Sequence, residues 1–220
     1  MHDTRKEPSP SVHAAVRPIA GDGMDVRYPT PDGGSDRLAF LRGFFRDPNG
    51  VGSVVPSSRW LEQRVVRNVR ASEARCVVEL GPGTGGTTRA LLRAMSPQAR
   101  LLTIELDPQF HAFVTENIRD PRLHTECGSA ERLDEFLTAC RLPPPEAIVS
   151  GIPFSTMPTD VGDRIAAQIG RVLAPGGRFV AYQWTPTVAD RLLPYLGRPV
   201  REWEPLNLPP MRVFTWVKPA

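Results

Sequence analysis

With 220 residues, 40% hydrophobic and 23% charged, and a net charge of +3, the chain has room for one ordinary globular domain plus an appendage, not two large domains. No run approaches the ~18–20 consecutive apolar residues of a membrane-spanning helix. The opening MHDTRKEPSPSVHAAVRP lacks the apolar stretch of a secretory signal, so an intracellular protein is expected. Cys76, Cys127 and Cys140 are an odd set without close spacing, which argues against a disulfide framework and a zinc site; no metal is expected.

Residues 1–35 hold five prolines and four glycines and no apolar period, the composition of a mobile tail. Residues 36–75 carry eight arginines against four carboxylates, a local excess that suits an anionic surface as well as a merely solvated face. A short helix is expected from Ser35 or Asp36 through DRLAFLRGFFRD, and a second after Pro56-Ser57-Ser58 with Leu61, Val65 and Val69 on one face. These two make an N-terminal segment over 36–72, ahead of a main domain over 73–220.

From Arg75 onward, apolar strands alternate with helices. Strands are expected at 76–80, 101–106, 123–127, 147–152 and 178–184, with helices after GPGTGG, from Asp107-Pro108, around 130–140, at 159–174 and at 187–196. Strands near 201–206 and 211–217 can close the chain as a hairpin. The pattern is that of a doubly wound α/β sheet covered on both faces.

The informative run is Val78-Glu79-Leu80-Gly81-Pro82-Gly83-Thr84-Gly85-Gly86, where a buried strand turns into a helix. Glycines there let the backbone approach a ligand, although Gly81-x-Gly83-x-x-Gly86 alone also fits a dinucleotide loop. Glu79 points its carboxylate towards the loop, suited to a cationic ligand group. Glu105 ends the second strand, where a carboxylate can accept both hydroxyls of a ribose.

At these residues the chain resembles the class I S-adenosylmethionine-dependent methyltransferases, whose first motif reads E-x-G-x-G-x-G. Leu173-Ala174-Pro175-Gly176-Gly177-Arg178-Phe179 is similar to that family's turn into the fifth strand. The resemblance implies a seven-stranded Rossmann-like sheet with an antiparallel last strand and a cofactor over Gly81, Gly83 and Gly85. It gives Glu79 the methionine ammonium and Glu105 the ribose, with S-adenosyl-L-homocysteine as product. Where the family commonly has Gly-Asp-Ala beside the adenine, this chain reads Gly128-Ser129-Ala130, and Ser129 is a weaker acceptor than a carboxylate.

Ser150-Gly151-Ile152-Pro153-Phe154 ends the fourth strand, where such enzymes meet the methyl acceptor. Carbonyls at Ser150 and Gly151 can orient an amine, Phe154 offers an aromatic wall, and Tyr182 on the fifth strand is a further candidate to orient the headgroup. The stretch is similar to the Asn-Leu-Pro-Tyr motif of ribosomal-RNA adenine dimethylases, with Ser150 and Phe154 as the departures. Phe40-Leu41-Arg42-Gly43-Phe44-Phe45, Val54-Val55-Pro56-Ser57-Ser58, Ser150-Gly151-Ile152-Pro153 and Asn207-Leu208-Pro209-Pro210 resemble more closely the bacterial phospholipid N-methyltransferases and the related ornithine-lipid N-methyltransferases. That likeness implies methylation of phosphatidylethanolamine towards phosphatidylcholine, or of ornithine lipid.

Independently, Leu38, Phe40, Leu41, Phe44 and Phe45 share one helical arc, with Arg42 and Arg46 on the opposite flank. That layout suits a helix lying on an anionic phospholipid surface, and equally one packed on a protein core. The expectation is a monomer held peripherally at the inner face of the cell membrane, with no nucleic acid bound. A nucleic-acid methyltransferase, a nicotinamide-dependent oxidoreductase and a non-catalytic lipid-binding module stay open as rivals. The four tryptophans are expected to be packing residues.

Overall fold

A computed structural model describes residues 57–220. The expected tail and the helix with Leu38, Phe40, Leu41, Arg42, Phe44, Phe45 and Arg46 lie outside the described residues. Helix α1 (Arg59–Asn68) leads into strand β1 (Cys76–Leu80), and α2 (Gly86–Ala94) into β2 (Arg100–Glu105). Then follow α3 (Pro108–Asn117), β3 (Leu123–Cys127), a 3-10 turn (Ala130–Arg132) running into α4 (Leu133–Ala139), and β4 (Ala147–Ser150). Helix α5 (Thr159–Val172), β5 (Arg178–Gln183), α6 (Thr187–Leu196), β6 (Val200–Glu204) and β7 (Met211–Val217) complete the order.

The helix starts follow from local chemistry. Ser58 caps α1, its hydroxyl accepting from the Leu61 N–H at 3.2 Å. Asp107 caps α3 by accepting from the N–H of Gln109 at 2.7 Å, with Pro108 in the first turn. Two strands end two residues earlier than expected. Strand β4 stops at Ser150, since Pro153 removes a donor and restricts Ile152. Strand β6 stops at Glu204, whose own carboxylate takes the Leu206 N–H at 3.1 Å and turns the chain.

The seven strands form one sheet in the order β3-β2-β1-β4-β5-β7-β6. Strands β3, β2, β1, β4 and β5 are parallel, while β7 runs antiparallel to both β5 and β6. The strand order reverses between β1 and β4, so their carboxyl ends open a crevice at the centre of the sheet.

Alternation along the strands divides the core in two. Val78, Leu80, Leu102, Ile148, Phe179 and Phe214 face α4, α5 and α6. Val77, Leu101, Val149, Val180 and Val213 face α1 and α2. Leu61, Val65 and Val69 of the second expected N-terminal helix belong to this second core, so α1 is packed on the sheet rather than set apart from it. The tryptophans divide: Trp216 is buried, but Trp60, Trp184 and Trp203 are substantially exposed, contrary to the expected packing role.

Arg64 ties α1 to the far edge of the sheet. Its Nε donates to Glu204 at 2.8 Å and Nη1 to Glu202 at 2.7 Å. Burial alone would raise the Glu204 pKa, but Arg64 overrides it and holds the carboxyl below its usual range. Arg64→Ala leaves the buried Glu204 charge without its partner and is expected to cost about 2–3 kcal/mol. A lower urea midpoint at unchanged slope would show it; an unchanged midpoint would mean that the pair contributes nothing.

Candidate active site

The carboxyl ends of the central strands are joined to their loops by backbone hydrogen bonds that continue the sheet beyond its strands. The Gly81 N–H donates to Ile104 O at 2.9 Å, Gly128 N–H to Glu105 O at 2.8 Å, and Gly151 N–H to Leu80 O at 2.9 Å. The loops after β1, β3 and β4 thereby become one rigid rim around the crevice. Gly81 has φ +73°, and a Cβ there would lie 3.3 Å from Ile152 Cγ1. At Gly85, with φ +76°, a Cβ would fall 2.7 Å from Ile118 Cδ1. Both positions need glycine for conformation and for space.

Glu79 faces the α1–α2 side of the sheet, in register between Thr103 and Val149, and is fully buried. One carboxylate oxygen accepts from Thr88 Oγ1 at 2.6 Å. The other is buried with no hydrogen-bond partner among the described residues. Burial pushes the carboxyl up to about 8, the Thr88 hydroxyl pulls it down, and the charges of Glu105 and Glu62 raise it further. An orphaned oxygen on a buried acid is the feature a cationic ligand group would satisfy.

Glu105 ends β2 with both oxygens engaged on one side. Oε2 accepts from Gly83 N–H at 3.1 Å and Oε1 from Asp107 N–H at 3.0 Å. Burial raises this carboxyl and the backbone donors oppose the rise. Each oxygen keeps lone-pair capacity for a further donor such as a hydroxyl. Glu105 also lines a cleft of about 400 Å³, counted out to its open mouth, together with Gly81, Gly128, Ser129 and Ala130. Leu106, Ile152, Met157 and Ile165 supply its apolar walls. Flat apolar walls beside a carboxylate suit a nucleoside.

The structure brings Glu79, Gly81, Gly83, Gly85, Glu105, Ser129 and Ala130 to the carboxyl edge of the sheet, where the motif resemblance put them. The Ser129 hydroxyl donates to Glu131 at 2.9 Å and accepts from the Glu131 N–H, and the Glu131 carboxylate meets Arg164 at 2.5 Å. Ser129 thus lines the cleft while capping the 3-10 turn.

On the other side of the rim, a Cβ at Gly151 would lie 2.6 Å from the Tyr182 hydroxyl and 3.1 Å from Gly81 O. Tyr182 therefore meets the loop after β4. Burial, then the charge of Glu79, pushes its phenol up to about 12, with the hydroxyls of Thr87 and Ser57 beside it. Ser150 is buried, its Oγ accepting from Ile152 N–H at 3.3 Å, and Gln183 Nε2 donates to Ile152 O. Phe154 corrects the expectation of an aromatic substrate wall. It is 0% exposed, within the core that contains Met157, Val161 and Ile165. Thr88, Gln183 and the cleft residues Leu106, Met157 and Ile165 lie outside the sequence motifs, since each is defined by a contact across the fold rather than by spacing.

Comparison with known proteins agrees with this geometry. Residues 77–177 match the family described as Methyltransferase domain. The chain is 31% identical over 181 residues to an ornithine lipid N-methyltransferase of Singulisphaera acidiphila, spanning 81% of this chain and 94% of that one. It is also 34% identical over 95 residues to ribosomal RNA small subunit methyltransferase A of Caulobacter vibrioides, but over only 42% of this chain and 34% of that one. Among solved structures, the N-methyltransferase NodS of Bradyrhizobium japonicum WM9 with bound S-adenosyl-L-homocysteine superposes with TM-score 0.61 at 16% identity, covering 84% of this chain and 99% of that one.

The residues present fit such a cofactor: an unpartnered acid oxygen for an ammonium, a carboxylate with spare lone pairs for a ribose, and an apolar slot for a base. Glu105→Ala is expected to weaken S-adenosyl-L-homocysteine about 10–100-fold in calorimetry, the worth of hydrogen bonds to a charged group; undiminished binding would refute the ribose role. Folded Glu79 holds its proton up to about 8, whereas the unfolded chain releases it near 4.5. The ligand-free fold should therefore lose stability as pH rises from about 4.5 to 8, and Glu79→Gln should flatten that slope in thermal melts. An identical slope in the variant would exclude Glu79 as its source. Motif, sheet order, site geometry and a relative matched over nearly its whole length lead to one assignment: the chain belongs to the class I S-adenosylmethionine-dependent methyltransferases, in the family that includes that lipid N-methyltransferase.

Proposed function

We propose that the protein methylates the headgroup amine of a membrane lipid. The observation that carries this reading is the extent of the likeness to the ornithine lipid N-methyltransferase, which takes in 94% of that chain. The ribosomal-RNA relative is matched over only a third of its length. Ornithine lipid thereby moves ahead of phosphatidylethanolamine, which the motif resemblance placed first. The arginine-rich segment with Phe44 and Phe45 would hold the enzyme at the inner face of the cell membrane, each arginine near an anionic leaflet adding about 1 kcal/mol. No helix among the described residues is long and apolar enough to cross a membrane.

When bound, S-adenosylmethionine supplies a methyl group on a sulfonium, ready for attack by a nitrogen lone pair. The chain's contribution is placement. The β4 loop is held from both sides, by Gly151 N–H to Leu80 O and by Gln183 to Ile152 O, so groups it presents to an amine do not reorganise. Tyr182 stays protonated at neutral pH and serves as a hydrogen-bonding partner rather than a base. The amine must therefore arrive neutral, or lose its proton to water, before each transfer.

Expression in a bacterium that makes ornithine lipid and phosphatidylethanolamine but methylates neither, followed by lipid mass spectrometry, tests the reading. Gains of one, two or three methyl masses on one headgroup are expected, absent with Glu79→Ala. Unaltered lipids alongside methylated ribosomal RNA would overturn it.

A further inference from the structure

We propose that the β6–β7 hairpin and the exposed tryptophans beside it form a bilayer-docking surface next to the acceptor side of the site, distinct from the stretch that holds Phe44 and Phe45. This deepens the lipid reading and rests on it. The register pairs Gln183 with Arg212 and Glu204 with Met211, so the connection 205–210 emerges at the carboxyl edge of β5, the same edge as the loops at Gly81 and Gly151.

Large apolar side chains collect there without cover. Trp60 is 42% exposed, Trp184 53%, Trp203 47%, Leu206 60% and Leu208 79%. Ser58 N–H donates to Asn207 Oδ1 at 2.8 Å, which brings the start of α1, and with it Trp60, to the hairpin tip. Arg212 lies over the Trp203 ring at 5.3 Å and donates to Trp184 O, linking the other two tryptophans. Trp216, on β7 opposite Phe179, is by contrast buried.

The charge commits the surface to an anionic bilayer. Residues 183–188 and 205–212 contain no carboxylate and one arginine. The nearby Glu202 and Glu204 are both taken by Arg64. Arg59 lies 4.6 Å over the Trp60 ring, and neither it nor Arg212 pairs with a carboxylate among the described residues. Indole rings with a cation alongside, flanked by leucines, match the headgroup layer above acyl chains. Gln183 connects the patch to the acceptor loop through Ile152 O. A lipid whose chains stay in the bilayer beneath the hairpin could thus present its headgroup at the β4 loop.

The test uses the full chain saturated with S-adenosyl-L-homocysteine, and vesicles of phosphatidylcholine with phosphatidylglycerol. Wild-type protein should sediment with them. L206D/L208D, at two exposed positions, should bind at least tenfold more weakly while keeping its affinity for S-adenosyl-L-homocysteine. Brominated acyl chains should quench wild-type tryptophan emission. Equal vesicle binding by wild type and variant, absence of quenching, or a dimer that the substitutions dissociate while vesicle binding persists would each overturn the surface. Methylation of the amine lipid in detergent micelles separates the two claims: turnover in micelles without vesicle binding overturns the surface alone, whereas vesicle binding without turnover on lipid overturns the function and leaves the surface standing.

Discussion

Enclosing a carboxyl group in apolar protein is costly unless its oxygens find donors, and among the described residues Glu79 has a donor for only one of them. The surrounding structure is arranged around that half-satisfied acid. Thr88 stands in the first turn of α2 to hold one oxygen, while the other has no partner among the described residues. Holding the proton at neutral pH lowers the cost of the empty state. A cation brought to the free oxygen would reverse the balance, since the ionised acid then gains a partner in surroundings where charges are weakly screened.

The sheet makes this arrangement rigid. Continuing its hydrogen-bond ladder into Gly81, Gly128 and Gly151 fixes three loops to one another. Glu79, Glu105 and the loop after β4 therefore sit on a common frame, and Tyr182 reaches Gly151 from the neighbouring strand. For a transfer whose rate depends on alignment of nitrogen, methyl and sulfur, such a frame matters more than an added acid or base. Helix α1 seals the same face: its Leu61 and Val65 join the core, and its Arg64 secures β6. The N-terminal part of the described chain is thus structural as well as adjacent to the site.

The crevice and the uncovered aromatic edge share one boundary. Strand β7 inserts antiparallel between β5 and β6, which turns the 205–210 connection towards the carboxyl edge rather than away from it. That reversal is a property of sheet order, and it decides whether the leucines and tryptophans stand near the chemistry or on the far side of the molecule.

Much of the fold could be read from residue order. Apolar runs of five or six residues alternating with helical periods imply parallel strands with crossover helices, and Ser58, Asp107 and Pro108 mark helix starts because capping is a local interaction. The E-x-G-x-G-x-G run at Glu79–Gly85 and the carboxylate at Glu105 marked a ligand loop by themselves, since a glycine's freedom and a strand-end acid are legible without neighbours, while the cofactor's identity came from the family resemblance those residues carry. Tertiary structure alone decided what depended on distant contacts: that Phe154 is buried, that Thr88 and Gln183 support the site, and that Trp60, Trp184 and Trp203 face outward. Burial is settled by which elements meet across the fold, and hydrophobicity along the chain carries no record of which apolar residues will be left without a partner.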